Sequence, residues 1–130
     1  MKVFLDTNVW LSAIVFPGLC AELLLALHEG GHEVMSSELV RRETHEVLQR
    51  KFARHAQAVL RFDLLWARAT GVTDVDEPAD DADARLVAAA EQAGAELFVT
   101  GDQRVLGWDP RGGMRVVAPR EAWGVVTPRL

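Results

Sequence analysis

The chain has 130 residues, enough for one domain with a sizeable core, and residues 1–130 are read as a single domain. Hydrophobic residues at 49% and charged residues at 25% exclude a disordered, collagen-like or low-complexity chain. A net charge of −5 excludes a general basic surface for nucleic acid, so any polyanion contact has to come from a local patch.

Residues 2–5 (Lys-Val-Phe-Leu) form a strand-like run that ends at Asp6. Val9 to Phe16 is helical in pattern and stops at Pro17-Gly18. The uncharged stretch 7–21 is divided there, whereas a membrane span needs about 20 mostly apolar residues. Asp6 and Asn8 also interrupt any signal-peptide core, so a soluble chain with no membrane partner is expected. Residues 19–29 read as a buried helix with Gly30-Gly31 as its stop. Its Cys20 is the sole cysteine, which excludes a disulfide framework and a multi-cysteine zinc site. A lone thiol in an apolar helix reads as core packing, in a reducing compartment such as the cytoplasm.

His32 to Met35 is a second short strand, and Ser36 or Ser37 caps a helix running to about Arg50. Another helix fits roughly 54–69, and Val72 to Val75 gives a third strand. Residues 82–93 are alanine-rich and helical, followed by Gly94. Glu96–Thr100 is a fourth strand bounded by Gly101, Arg115–Ala118 a fifth, and a short helix is expected near Arg120–Trp123. Strands that alternate with helices and run as continuous apolar segments predict a parallel sheet covered on both faces. Such sheets bind ligands outside the carboxyl ends of their strands. Asp6 follows the first strand and Asp102 the fourth, so neighbouring positions for these strands put both carboxylates in one crevice. The plainer role for each is to cap the following helix.

Two further acids lie close to apolar stripes. On the helix from Glu38 to Arg50, Leu39, Val40, Thr44, Val47 and Leu48 define the buried side. Glu43 lies about 60° from the centre of that stripe, Glu46 about 120° away and Glu38 nearly opposite. Asp83 shares the stripe of Leu86, Val87 and Ala90, which stand three, four and seven residues on. Asp80 or Asp81 is the better N-cap for that helix. Charge is clustered as well: residues 74–83 hold six acids and no base, and residues 41–55 hold five bases against two acids. Each cluster alone also fits a solvated face.

Two charges about 5 Å apart repel by roughly 3 kcal/mol at an effective dielectric of 20. Converging carboxylates therefore need protonation or a cation, and an all-oxygen donor set favours Mg²⁺ or Mn²⁺. His28 and His32 are four apart, but Gly30-Gly31 breaks the helix that could align them on a metal. The chain carries no G-x-S-x-G elbow, no Walker A sequence and no G-x-G-x-x-G.

Asp6-Thr7-Asn8-Val9 after the first strand, Glu43 followed by Val47-Leu48, Asp83-Ala84-x-Leu86, and Thr100-Gly101-Asp102 together resemble the PIN domain. The likeness spans residues 1 to about 123 and is closest to the toxin-like branch of prokaryotic toxin–antitoxin modules, to which Phe16-Pro17-Gly18 and Gly94-Ala95 are also similar. It implies a three-layer α/β/α sandwich around a five-stranded parallel sheet of order 3-2-1-4-5. It also implies metal-dependent endoribonuclease activity through a metal-activated water, with RNA as substrate and a cognate antitoxin as partner. Carried over by position, the acidic, metal-holding site falls on Asp6, Glu43, Asp83 and Asp102, supported by Asn8 and Thr100. Arg41, Arg42, Arg50, Lys51 and Arg54 are candidates for RNA-backbone contacts. A homodimer is expected, with no tryptophan assigned to its interface.

The chain departs from the family where many relatives place a further acid, about three residues after Thr-Gly-Asp. Val105 stands there, and Asp109, Asp80 and Asp81 are the candidate substitutes. The departure bears on a second metal ion more than on the first. Two other readings compete. One is a non-catalytic PIN-like binding or assembly module. The other is aspartyl-phosphate chemistry on Asp6, against which stand Asn8, where a second aspartate is needed, and the presence of only two lysines.

Overall fold

The computed structural model describes residues 1–108 and 112–127. In order, its first half comprises β1 (Lys2–Leu5), α1 (Thr7–Val15), α2 (Leu19–Glu29), β2 (Glu33–Ser37), α3 (Glu38–Lys51) and α4 (Ala58–Trp66). Then come β3 (Thr70–Val72), α5 (Ala82–Gln92), β4 (Leu97–Val99), α6 (Gln103–Leu106), β5 (Arg115–Val117) and α7 (Pro119–Val126). The five strands form one parallel sheet in the expected order β3-β2-β1-β4-β5, flanked by helices.

The central strands are the most apolar, and burial follows. Val3, Phe4 and Leu5 of β1 and Leu97, Phe98 and Val99 of β4 are fully buried, as a strand covered on both faces requires. Their register pairs Phe4 with Phe98 and Leu5 with Val99. The two phenyl rings stack with centroids 5.4 Å apart. Trp10 of α1 meets Phe62 of α4 edge-on at 5.4 Å, fixing the helical layer they share. α2 and α5 each end in a glycine at positive φ, Gly31 at 71° and Gly94 at 81°. That left-handed residue turns the chain back into the next strand at little steric cost.

Several boundaries differ from the sequence reading. α1 begins at Thr7 rather than Val9, because Asp6 caps it and accepts from the Thr7 N–H. β2 runs through Ser36 and Ser37, both buried; Ser37 caps α3, while the Ser36 hydroxyl accepts from the Trp66 indole at 2.9 Å. α4 is shorter than 54–69, since the preceding residues form turns closed by His55 N–H to the Phe52 carbonyl and Ala58 N–H to the His55 carbonyl. β3 lies at Thr70–Val72 rather than Val72–Val75, paired to Met35–Ser37. Beyond it Asp74 accepts from Leu39 N–H at 3.0 Å, a second cap on α3 that draws this segment off the sheet edge. β5 stops at Val117, α7 reaches Val126, and α6 is a single turn that periodicity cannot reveal. Among the described residues, no single helix is long and apolar enough to cross a membrane.

Candidate active site

Parallel pairing of β1 with β4 brings the residues after both strands together. The Asp6 N–H donates to the Val99 carbonyl at 2.9 Å, so Asp6 and Thr100 leave the sheet side by side. Both are buried, Asp6 with 2% of its surface exposed. The Asp6 carboxylate is held from three directions. Its Oδ1 accepts from Thr7 N–H at 2.7 Å, and its Oδ2 accepts from the Thr100 hydroxyl at 2.8 Å and Asn8 Nδ2 at 3.1 Å. Asn8 also accepts from Gly101 N–H through Oδ1 at 2.9 Å, tying the loop after β4 to the start of α1. Asn8 and Thr100 thus act on Asp6 and on the backbone.

Glu43 reaches the same corner from α3. It is half-buried on the inner flank of the helix, and its Oε1 accepts from the Thr7 hydroxyl at 2.9 Å. Thr7, which the sequence reading did not single out, therefore joins Asp6 and Glu43 through its backbone and its side chain. Its signals in the sequence were its place next to Asp6 and its presence in the Asp6-Thr7-Asn8-Val9 run. Asp83, in the first turn of α5, faces both acids closely enough for its charge to act on each.

Asp102 joins less directly. Its N–H donates to the Thr100 hydroxyl at 3.0 Å, while its carboxylate caps α6 by accepting from Arg104 N–H at 2.9 Å. With Asn8, Ser12, Cys20 and Gly101 it lines a hollow of about 420 Å³. Cys20 is only partly buried and borders this hollow. The structure thus gathers Asp6, Glu43 and Asp83, with Asp102 linked to Asp6 through Thr100.

The PIN domain family model matches residues 2–104. The chain belongs to the PIN domain family. PIN domains are generally nucleases, and the nucleases among them typically use divalent metals. Comparison with curated proteins gives no match.

The electrostatics of this PIN domain's acids fit a cation. Burial is the main force on Asp6, and with the charges of Asp83 and Glu43 it outweighs the hydrogen bonds from Thr100 and Thr7. The result is a pKa of about 6 instead of 3.8. Glu43 is also raised, chiefly by burial and then by Asp83, against the opposing Thr7 hydrogen bond. A carboxylate offers about four lone-pair sites. Three of those on Asp6 are filled and one on Glu43, which leaves hard oxygen donors of the kind Mg²⁺ and Mn²⁺ prefer. The donor chemistry fits such an ion. The acids are not drawn together into a finished cage, however: among the described residues no three His, Cys, Asp or Glu side chains form a ligand group as they stand.

One cation already sits there. Arg104 Nη2 lies 3.0 Å from Asp81 Oδ1 and 3.0 Å from Asp83 Oδ2. Asp81, the N-cap of α5, is held below its ordinary value by this contact, and the guanidinium is raised above its own. Arg104 was not among the expected site residues, because its partners lie 23 and 21 residues away along the chain. Val105 is fully buried in the core. Of the candidate substitutes, Asp81 faces Arg104, Asp80 is exposed, and Asp109 lies outside the described residues. Among the basic candidates Arg41 pairs with Glu38 and Arg50 approaches Glu46 at 3.7 Å. Arg42, Lys51 and Arg54 are exposed.

Proposed function

We propose that this PIN domain is a metal-dependent endoribonuclease and the toxin of a toxin–antitoxin pair. The observation that carries the catalytic reading is Asp6: a buried carboxylate at the carboxyl edge of the central strand, facing Glu43 and Asp83, with its pKa lifted to about 6. A fold keeps such a costly arrangement where charge is needed for chemistry. The toxin assignment is supported by the likeness of residues 6–9, 16–18, 94–95 and 100–102 to that branch of the family.

Asp6, Glu43, Asp83 and Asp102 would hold Mg²⁺ or Mn²⁺ directly or through water. The bound ion supplies a water of lowered pKa and polarises the phosphoryl group. Thr100 and Asn8 fix the Asp6 carboxylate so that it meets the ion in one orientation. Glu43, raised and half-buried, is suited to accept a proton from the attacking water. Arg50, Lys51 and Arg54 follow Glu43 around the end of α3, the first of them about 10 Å along the axis. Arg41 and Arg42 precede Glu43 on the same helix, and these bases together offer positive charge to the RNA backbone.

Incubation of the purified protein with RNA and Mn²⁺ or Mg²⁺ tests this, with Asp6→Asn and Asp102→Asn as controls. Cleavage by the wild type, lost in Asp6→Asn and with chelator, is expected. Equal cleavage by all three proteins overturns the proposal. The proposal includes action in the cytoplasm, a cognate antitoxin and a homodimer. Co-purification with the product of an adjacent gene and a light-scattering mass of two chains are the corresponding results.

A further inference from the structure

We propose that this acidic site takes one divalent ion, and that Arg104 supplies its second positive charge by occupying the position between Asp81 and Asp83. The inference rests on the metal-dependent reading above and specifies which cations the site holds.

The guanidinium is placed by its surroundings. Val105, the next residue, is fully buried and anchors the turn of α6. The Arg104 N–H is fixed by Asp102 Oδ1 at 2.9 Å. Its guanidinium carbon lies 4.8 Å from the centre of the Trp108 ring, a cation–π contact that restrains the head group. From there it makes a two-point contact with Asp81, Nη2 to Oδ1 at 3.0 Å and Nη1 to Oδ2 at 3.4 Å, and shares Nη2 with Asp83. A planar fork matched to a carboxylate gives this pairing its geometry, and an arginine stays charged at every working pH.

The consequence is a division of the acids. The single guanidinium charge is shared between Asp81 and one oxygen of Asp83, so the protein itself offsets one carboxylate's worth of charge. Asp6, Glu43 and the other oxygen of Asp83 have no basic side chain bonded to them among the described residues. One external cation seated among those oxygens offsets two of the remaining negative charges, and a second would meet the guanidinium at close range. The Arg104 side chain is about half exposed, 54%. Its ion pairs are therefore modest in strength and weakened by salt.

Electron paramagnetic resonance counts bound Mn²⁺ directly at low ionic strength, without RNA. The wild type is expected to bind one ion. Arg104→Met keeps an apolar stem against Trp108 but removes the charge, and is expected to bind two. Arg104→Lys keeps the charge and is expected to stay at one. Adding Asp6→Asn to Arg104→Met is expected to return the count to one, by removing the first site and leaving the second. Two ions on the wild type overturn the inference, as does a single ion on Arg104→Met, whatever its affinity; both outcomes leave the metal-dependent reading standing. No bound ion on any of these proteins overturns the inference and that reading together.

Discussion

The Thr100 hydroxyl donates to Asp6 Oδ2 at 2.8 Å, joining the residue after β4 to the residue after β1. The Thr100 hydroxyl oxygen in turn accepts from Asp102 N–H at 3.0 Å. One buried hydroxyl therefore orients the carboxylate at the centre of the acidic group and the turn that carries Asp102 and Arg104. Its bond to Asp6 also opposes the effect of burial on that carboxylate.

Thr100→Val keeps the shape and deletes these two bonds together with a third, accepted from Asn8 Nδ2 at 3.3 Å. A loss of about 1–2 kcal/mol in unfolding free energy is expected, from the Asp102 N–H left without its acceptor and Asp6 Oδ2 left with Asn8 alone. Urea unfolding at pH 7.5 measures it, and an unchanged midpoint contradicts it.

Asp6 gives the fold a pH dependence of definite sign. Its pKa is about 6 in the folded protein against an ordinary 3.8. The unfolded chain therefore releases the proton first as pH rises. The contribution of this group is full below about pH 4 and is lost by the time pH passes about 6, some 2–3 kcal/mol in all. Asp6→Asn removes that slope. Relative to wild type, the variant is expected to gain about 2–3 kcal/mol between pH 4 and pH 7 in chelator. Urea unfolding across that range checks it; a difference that stays flat rules out the raised pKa.

Asn8→Asp puts another carboxylate against Asp6, where Asn8 Nδ2 now donates at 3.1 Å. Without metal at pH 8, a loss of about 1–2 kcal/mol is expected from repulsion and the lost bond. Saturating Mg²⁺ is expected to recover most of it, because an ion that binds only the folded state stabilises it. Asn8→Ala loses the bonds to Asp6 and from Gly101 without adding a charge, so Mg²⁺ stabilises it no more than wild type. Thermal melts with and without Mg²⁺ separate the two, and equal recovery in both variants contradicts the electrostatic account.

The sheet was legible because its strands are short apolar runs set off by glycines and by Asp6, and because parallel central strands need no polar face. The edges were not. Val72–Val75 looks more strand-like than Thr70–Val72, yet backbone pairing with Met35–Ser37 decides an edge strand, and Asp74 is spent on capping α3. Glu43 and Asp83 were legible as acids aligned with apolar stripes, a pattern that survives translation into three dimensions. Arg104 was not, since a one-turn helix has no period and its partners Asp81 and Asp83 meet it only after folding. Thr7 escaped for a related reason: its bond to Glu43 spans 36 positions of sequence.

The claim beneath all of this is that folding forces Asp6 into a position where its charge is unwelcome until a divalent ion arrives. Carbon-13 NMR of the Asp6 carboxyl, titrated with pH in chelator and again in saturating Mg²⁺, tests it most directly. The account predicts a midpoint of about 6 without metal, falling below the ordinary aspartate range of about 4 with it. A midpoint near 4 that Mg²⁺ leaves unmoved contradicts the account.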